Sequence, residues 1–99
     1  MKIRIINAPG PDVLVMLKRR VPSDLRKRLD RIRVDAVGLI MLPIPELYFF
    51  ADQASKSADV VVSEICGTCP QHVTTLAIFG EVSAVNEAIR IIEEDSAGF

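Results

Sequence analysis

Both cysteines of the chain fall in one six-residue stretch, Cys66-Gly67-Thr68-Cys69-Pro70-Gln71, between two runs that read as β-strands. Soft thiolate ligands suit zinc, copper(I) and iron–sulfur clusters. One chain offers two thiols and a single imidazole, His72, whereas a structural zinc or a common cluster takes four protein ligands. A single copy is short of donors. A metal at this loop therefore calls for several copies of the chain converging on it.

The Cys-x-x-Cys spacing also fits a thioredoxin-like redox pair. That chemistry sets the first thiolate at a helix N-terminus, where the dipole and free N–H groups lower its pKa. Here Pro70-Gln71 leads into His72-Val73-Thr74-Thr75-Leu76-Ala77-Ile78, a strand pattern, and the context is wrong for redox exchange. His72 completes a Cys-x-x-Cys-x-x-His series, but a lone histidine at a strand start is more often a surface or pairing residue than a ligand. No Ser-His-Asp arrangement, phosphate-cradling Gly-rich loop or converging carboxylate pair accompanies it. The chain does not read as an enzyme.

The elements that must hold this loop form an α+β set. Residues 2–7 alternate charged and apolar positions and read as a strand, closed by Ala8-Pro9-Gly10-Pro11. Asp12 is expected to cap a short helix with Val13, Leu14, Leu17 and Val21 on one side. Pro22 ends it, and Ser23 is expected to cap a second helix, Asp24–Asp30, with Leu25, Leu29 and Ile32 inward. Residues 34–42 are apolar on both strand faces and predict a central strand. Pro43 and Pro45 introduce a helix from Glu46 to about Ser57. Its Leu47, Phe50, Ala51 and Ala54 form the inward stripe, leaving Tyr48 and Phe49 off it as irregular core or as a subunit contact. Strands follow at 60–65 and 72–79, joined by the cysteine loop as a hairpin. Gly80 breaks the second, and a last helix spans about Val82–Glu94 with Val82, Val85, Ile89 and Ile92 in helical spacing.

Ninety-nine residues imply one domain, 1–99. At 49% hydrophobic, so small a domain carries more apolar surface than a monomer needs to hide, which favours burial against other subunits. No apolar run reaches membrane-span length, and the charged start Met1-Lys2-Ile3-Arg4 is unlike a signal peptide. The expected compartment is cytoplasmic and reducing, where a structural disulfide is out of place. Charge is uneven: residues 1–33 hold ten of the twelve bases against three acids, and the remainder two bases against ten acids. The basic cluster from Lys18 to Arg33 reads either as a solvated face that meets an acidic neighbour or cargo, or as a nucleic-acid footprint. No aromatic residue interleaves it to stack bases, so no nucleic-acid partner is expected.

Three segments carry a resemblance: Val34-Asp35-Ala36-Val37-Gly38-Leu39-Ile40, the helix ending Ala51-Asp52-Gln53-Ala54-Ser55-Lys56-Ser57-Ala58-Asp59-Val60, and Ala77-Ile78-Phe79-Gly80-Glu81-Val82-Ser83-Ala84-Val85-Asn86-Glu87-Ala88. In this order they resemble the bacterial microcompartment shell domain (BMC domain) over about residues 34–93. The strand and short helices that end the usual family order here precede the first motif, as in its circularly permuted branch. Close termini make such a permutation physically plausible. The resemblance implies an α/β (α+β) sandwich, an antiparallel sheet flanked by helices, assembling as homohexamers that tile with other shell proteins around encapsulated enzymes.

On that template Gly67, Thr68, Cys69, Pro70 and Gln71 are the pore loop lining the six-fold axis. A Gly-x-Cys-Pro-Gln loop is similar to that of the divergent U-type branch, associated with glycyl-radical propanediol microcompartments. The similarity implies an iron–sulfur cluster of the 4Fe–4S kind, shared between subunits at the pore and moving electrons, or itself being passed, across the shell. Cys69 is the implied ligand. Cys66 stands where the template has an apolar strand residue and is the second candidate. Lys56 matches the family's edge lysine, which packs hexamer against hexamer, whereas Ala8 replaces the arginine of a second edge contact. Two alternatives stay open: a shell hexamer whose pore is metal-free or binds zinc, and a small basic nucleic-acid-binding regulator.

Overall fold

The computed structural model describes residues 2–65 and 73–95. Its elements run β1 (Lys2–Asn7), α1 (Pro11–Arg19), α2 (Ser23–Leu29), β2 (Ala36–Pro43), α3 (Ile44–Ser57), β3 (Val60–Ile65), β4 (Val73–Gly80) and α4 (Val82–Asp95). The four strands form one sheet in the order β1-β2-β4-β3, and every neighbouring pair is antiparallel. The expected α+β architecture, an antiparallel sheet with helices, is the one observed.

Strand side chains alternate between faces, and each face of this sheet has its own core. Ile40, Leu42, Leu76 and Ile78 point to one side, where they meet Leu47, Phe50 and Ala54 of α3 and Val85, Ala88, Ile89 and Ile92 of α4. Val37, Val61, Ala77 and Phe79 point to the other, under Val21 and Leu29, with Leu17 and Leu25 beside them. β2 and β4 are thus buried on both faces, as the unbroken apolar run at 34–42 predicts for a central strand. Burying either layer is worth roughly 25 cal/mol per Å² of apolar surface, so the sheet is stabilised from both sides.

The first two helices depart from the expected caps. α1 is preceded by Gly10 and α2 by Pro22, and neither start has a side-chain cap hydrogen bond. Asp12 and Ser23 lie inside the first turns instead. Pro11 at the head of α1 has its φ already set for the helix and no N–H to satisfy, so a side-chain cap is dispensable there. α3 begins at Ile44, two residues ahead of the expected Glu46, with Pro45 in its first turn. Gly80 closes β4 rather than breaking it. Ile32 and Val82, expected inward, are 38% and 41% exposed; each lies at or beyond an element's end, where the periodic stripe has run out of partners.

Part of the basic cluster stitches α1 to α2. The Arg26 guanidinium donates from Nε to the Lys18 carbonyl at 2.9 Å and from Nη2 to the Val21 carbonyl at 3.2 Å, tying α2 to the last turn of α1 and the link that follows it. Lys18 Nζ reaches Asp30 Oδ1 at 2.9 Å. The corner before α1 is tight: Ala8 holds φ 50° while its N–H donates to the Asp35 carbonyl at 2.8 Å.

Candidate functional site

The segment with Cys66, Gly67, Thr68, Cys69, Pro70, Gln71 and His72 lies outside the described residues. Its flanks do not. β3 and β4 are paired in antiparallel register from Val60 against Gly80 to Ile65 against Thr75. The cysteines therefore belong to the connection of a β-hairpin, in agreement with the sequence reading. β4 extends past β3 to Val73, which pairs with Pro43 of β2. Pro43 ends its strand, Ile44 starts α3, and Lys2 starts β1 opposite Met41. All of these cluster at one end of the sheet, the end from which the cysteine connection leaves.

Among the described residues no group of three or more His, Cys, Asp or Glu side chains could hold a metal. Both thiols of the sequence lie in the connection, outside the described residues.

Lys56 stands at the opposite end. α3 starts beside the cysteine end and runs 14 residues back along the sheet, about 20 Å at the helical rise. This carries Lys56 to the far rim, 74% exposed and paired with Asp52 Oδ2 at 2.8 Å. Tyr48 and Phe49 lie near the start of the same helix, 61% and 55% exposed, with the Phe49 ring edge-on to Phe50 at 5.2 Å. They are surface residues rather than irregular core.

Outside the expected site, α4 carries an ion triad. Arg90 donates to both Glu87 oxygens and to Glu94 one turn on. The hydrogen bond from Arg90, and then its positive charge, hold the Glu87 carboxyl below the usual carboxylate range.

The sequence reading also missed the bare end of the sheet. The α1–α2 layer covers Val37, Val61, Ala77 and Phe79 but leaves a shallow depression lined by Lys2, Arg4, Leu39, Met41 and Thr75. The signal was present in the alternation Lys2-Ile3-Arg4, which sets both cations on one face.

A family model described as the BMC domain matches residues 36–98. Seven chains of solved structures match the protein. One, the ligand-free structure of the GrpU microcompartment shell protein from Pectobacterium wasabiae, is 67% identical, with a TM-score of 0.80 over 93% of this chain and 99% of that one. No curated protein matches the sequence. The family match begins at Ala36, so β1, α1 and α2 precede it while completing the same sheet and its second helical layer, which is the permuted order expected. Among the described residues no helix is long and apolar enough to cross a membrane.

Proposed function

Because the chain belongs to the BMC-domain family and is a microcompartment shell protein subunit, we propose that it assembles as a cyclic homohexamer whose connections 66–72 converge on the axis to hold one iron–sulfur cluster. The supporting observation is the placement of both thiols in the β3–β4 connection, at the end of the sheet, with too few donors for a metal in one copy. Cys69 is the ligand and Pro70 and Gln71 flank it, with Gly67 and Thr68 completing the pore loop. Six equivalent thiols face a 4Fe–4S group that takes four, so the cluster breaks the rotational symmetry of the ring. A bound cluster supplies one-electron redox chemistry, suited to passing electrons across a shell. The chain's own part is to present thiolates, to exclude solvent around them and to anchor the hairpin through β2 and β3. Other shell proteins tile against the rim that carries Lys56, around enzymes of a glycyl-radical propanediol type.

The test is purification under anaerobic conditions, followed by a visible spectrum and iron, sulfide and zinc analysis of the oligomer. Broad iron–thiolate absorption with iron and sulfide near one cluster per six chains is expected. A colourless oligomer that holds zinc, or no metal, overturns the cluster.

A further inference from the structure

Charge is divided across the sheet as well as along the chain. On one side, α1, α2 and the links that follow them (residues 11–33) carry eight bases against three acids. On the other, α3 and α4 carry six acids against two bases. Lys18 pairs with Asp30 within the first layer, and Lys56 with Asp52 and Arg90 with Glu87 and Glu94 within the second. These pairs leave the division in place. Arg19, Lys27, Arg28 and Arg31 are exposed and have no ion-pair partner among the described residues. Arg19 also lines a shallow depression with Arg20, Leu17 and Met16, the last 64% exposed. Guanidinium groups beside an apolar floor suit a surface that carries carboxylates.

We infer that the basic α1–α2 face of one copy takes the acidic α3–α4 face of a second copy, so that molecules stack front to back across the plane of the sheet. A flat assembly of copies in one orientation sets every basic layer on the same side, where lateral neighbours cannot neutralise it. The neutralising surface must come from above or below. This chain's own opposite face supplies one, with an excess of the opposite sign and similar size. Front-to-front pairing would oppose like charges and is disfavoured. Front-to-back contact is heterologous and does not close, so it builds columns rather than a fixed oligomer. The contact goes beyond the ring of the proposed function and uses it only for number. In a ring the same contact repeats once per chain, and many weak exposed pairs act together. Exposed charges are screened by salt, so ionic strength sets the stacking.

Sedimentation velocity across ionic strength tests the contact. At about 1 M salt, where the Debye length is roughly 3 Å, single layers should sediment alone. At about 0.01 M, where it is roughly 30 Å, columns should appear, seen edge-on by negative-stain electron microscopy. Arg19→Glu with Lys27→Glu, and separately Glu87→Lys with Glu94→Lys, should each stay single at low salt. All four side chains are exposed, so each variant should keep the parent's circular dichroism spectrum. Mixed at low salt, the two variants should form stacks of two layers and no longer, because one basic and one acidic face remain between them. Arg19→Lys should stack like the parent. A parent mass independent of salt, columns kept by either charge-reversed variant, or a mixture that stays single overturns the stacking. The high-salt mass reads the ring by itself: a monomer there counts against the ring, whereas a ring that never stacks counts against this contact.

Discussion

Gly38 of β2 lies directly beneath Ile89 of α4: a Cβ at position 38 would stand 2.9 Å from Ile89 Cδ1, 3.2 Å from its Cγ1 and 3.3 Å from Val85 Cγ1. Only a residue without a side chain lets α4 approach the sheet so closely. Ile89 is 2% exposed and Val85 fully buried, so neither can swing away into solvent. The glycine's purpose here is close approach rather than backbone freedom.

Gly38→Ala should therefore destabilise the fold by about 1–3 kcal/mol, the usual cost of overpacking a tight core. Urea denaturation measures it. Combining it with Ile89→Val, which removes the Cδ1 methyl, should recover part of the loss. A cost for Gly38→Ala within experimental error would mean that α4 stands farther from the sheet.

If Cys69 holds the proposed cluster, Cys69→Ser should abolish iron–thiolate absorption and iron while the oligomer keeps its mass. Cys66→Ser should keep the cluster and lose about 1–3 kcal/mol if its hydroxyl is buried without a partner. Iron analysis of both variants decides between the thiols. Loss of iron in Cys66→Ser alone would exchange their roles.

The Glu87 carboxyl, held down by Arg90, has a signed pH dependence. A folded pKa below the unfolded one stabilises α4 above the unfolded carboxylate pKa, and this contribution disappears as pH falls through the folded value. Arg90→Gln should move the Glu87 titration, followed by NMR, up towards the ordinary carboxylate range. High salt should shrink the difference, since the triad is on the surface. An unchanged titration would mean that Arg90 does not set it.

Lys56→Ala should cost the isolated subunit little, about 0.2–1 kcal/mol for an exposed pair with Asp52. If Lys56 packs one assembly against the next, the same change should remove ordered sheets seen by electron microscopy while leaving the single oligomer intact. Sheets of unaltered extent and lattice would leave Lys56 with its helical ion pair alone.

Ala8 sits at φ 50°, a region that costs an L-residue about 1–2 kcal/mol. Ala8→Gly relieves this but adds about 0.4–1 kcal/mol of unfolded-chain entropy to be lost. A net gain of a few tenths to about 1 kcal/mol is expected in thermal denaturation. A net loss would mean that this corner relaxes in solution.

The sequence carried much of what flanks the cysteine segment. Tyr48 and Phe49 fall off the Leu47–Phe50–Ala54 stripe in the sequence, and they are exposed aromatic residues of α3. The placement of both thiols in a hairpin connection followed from two β-rich runs flanking a Gly-Pro stretch, and the β3–β4 register agrees. Ile32 and Val82 were misjudged because periodicity registers spacing alone; whether a partner waits at an element's end depends on chain far away.

By itself, the sequence determined the inventory of elements, the apolar stripe of each helix and the confinement of both thiols to one connection. These are local properties, set by side-chain period and by Pro and Gly within a few residues. The tertiary structure alone decided the strand order β1-β2-β4-β3, which brings Lys2 opposite Met41 from 39 positions away. It also decided that α1 and α2 stop short of the cysteine end, leaving a basic and apolar floor there. Strand pairing and layer coverage are contacts between distant segments. No local pattern encodes them, because several pairings bury the same apolar faces and only packing of the whole domain, down to the approach of Ile89 over Gly38, selects among them.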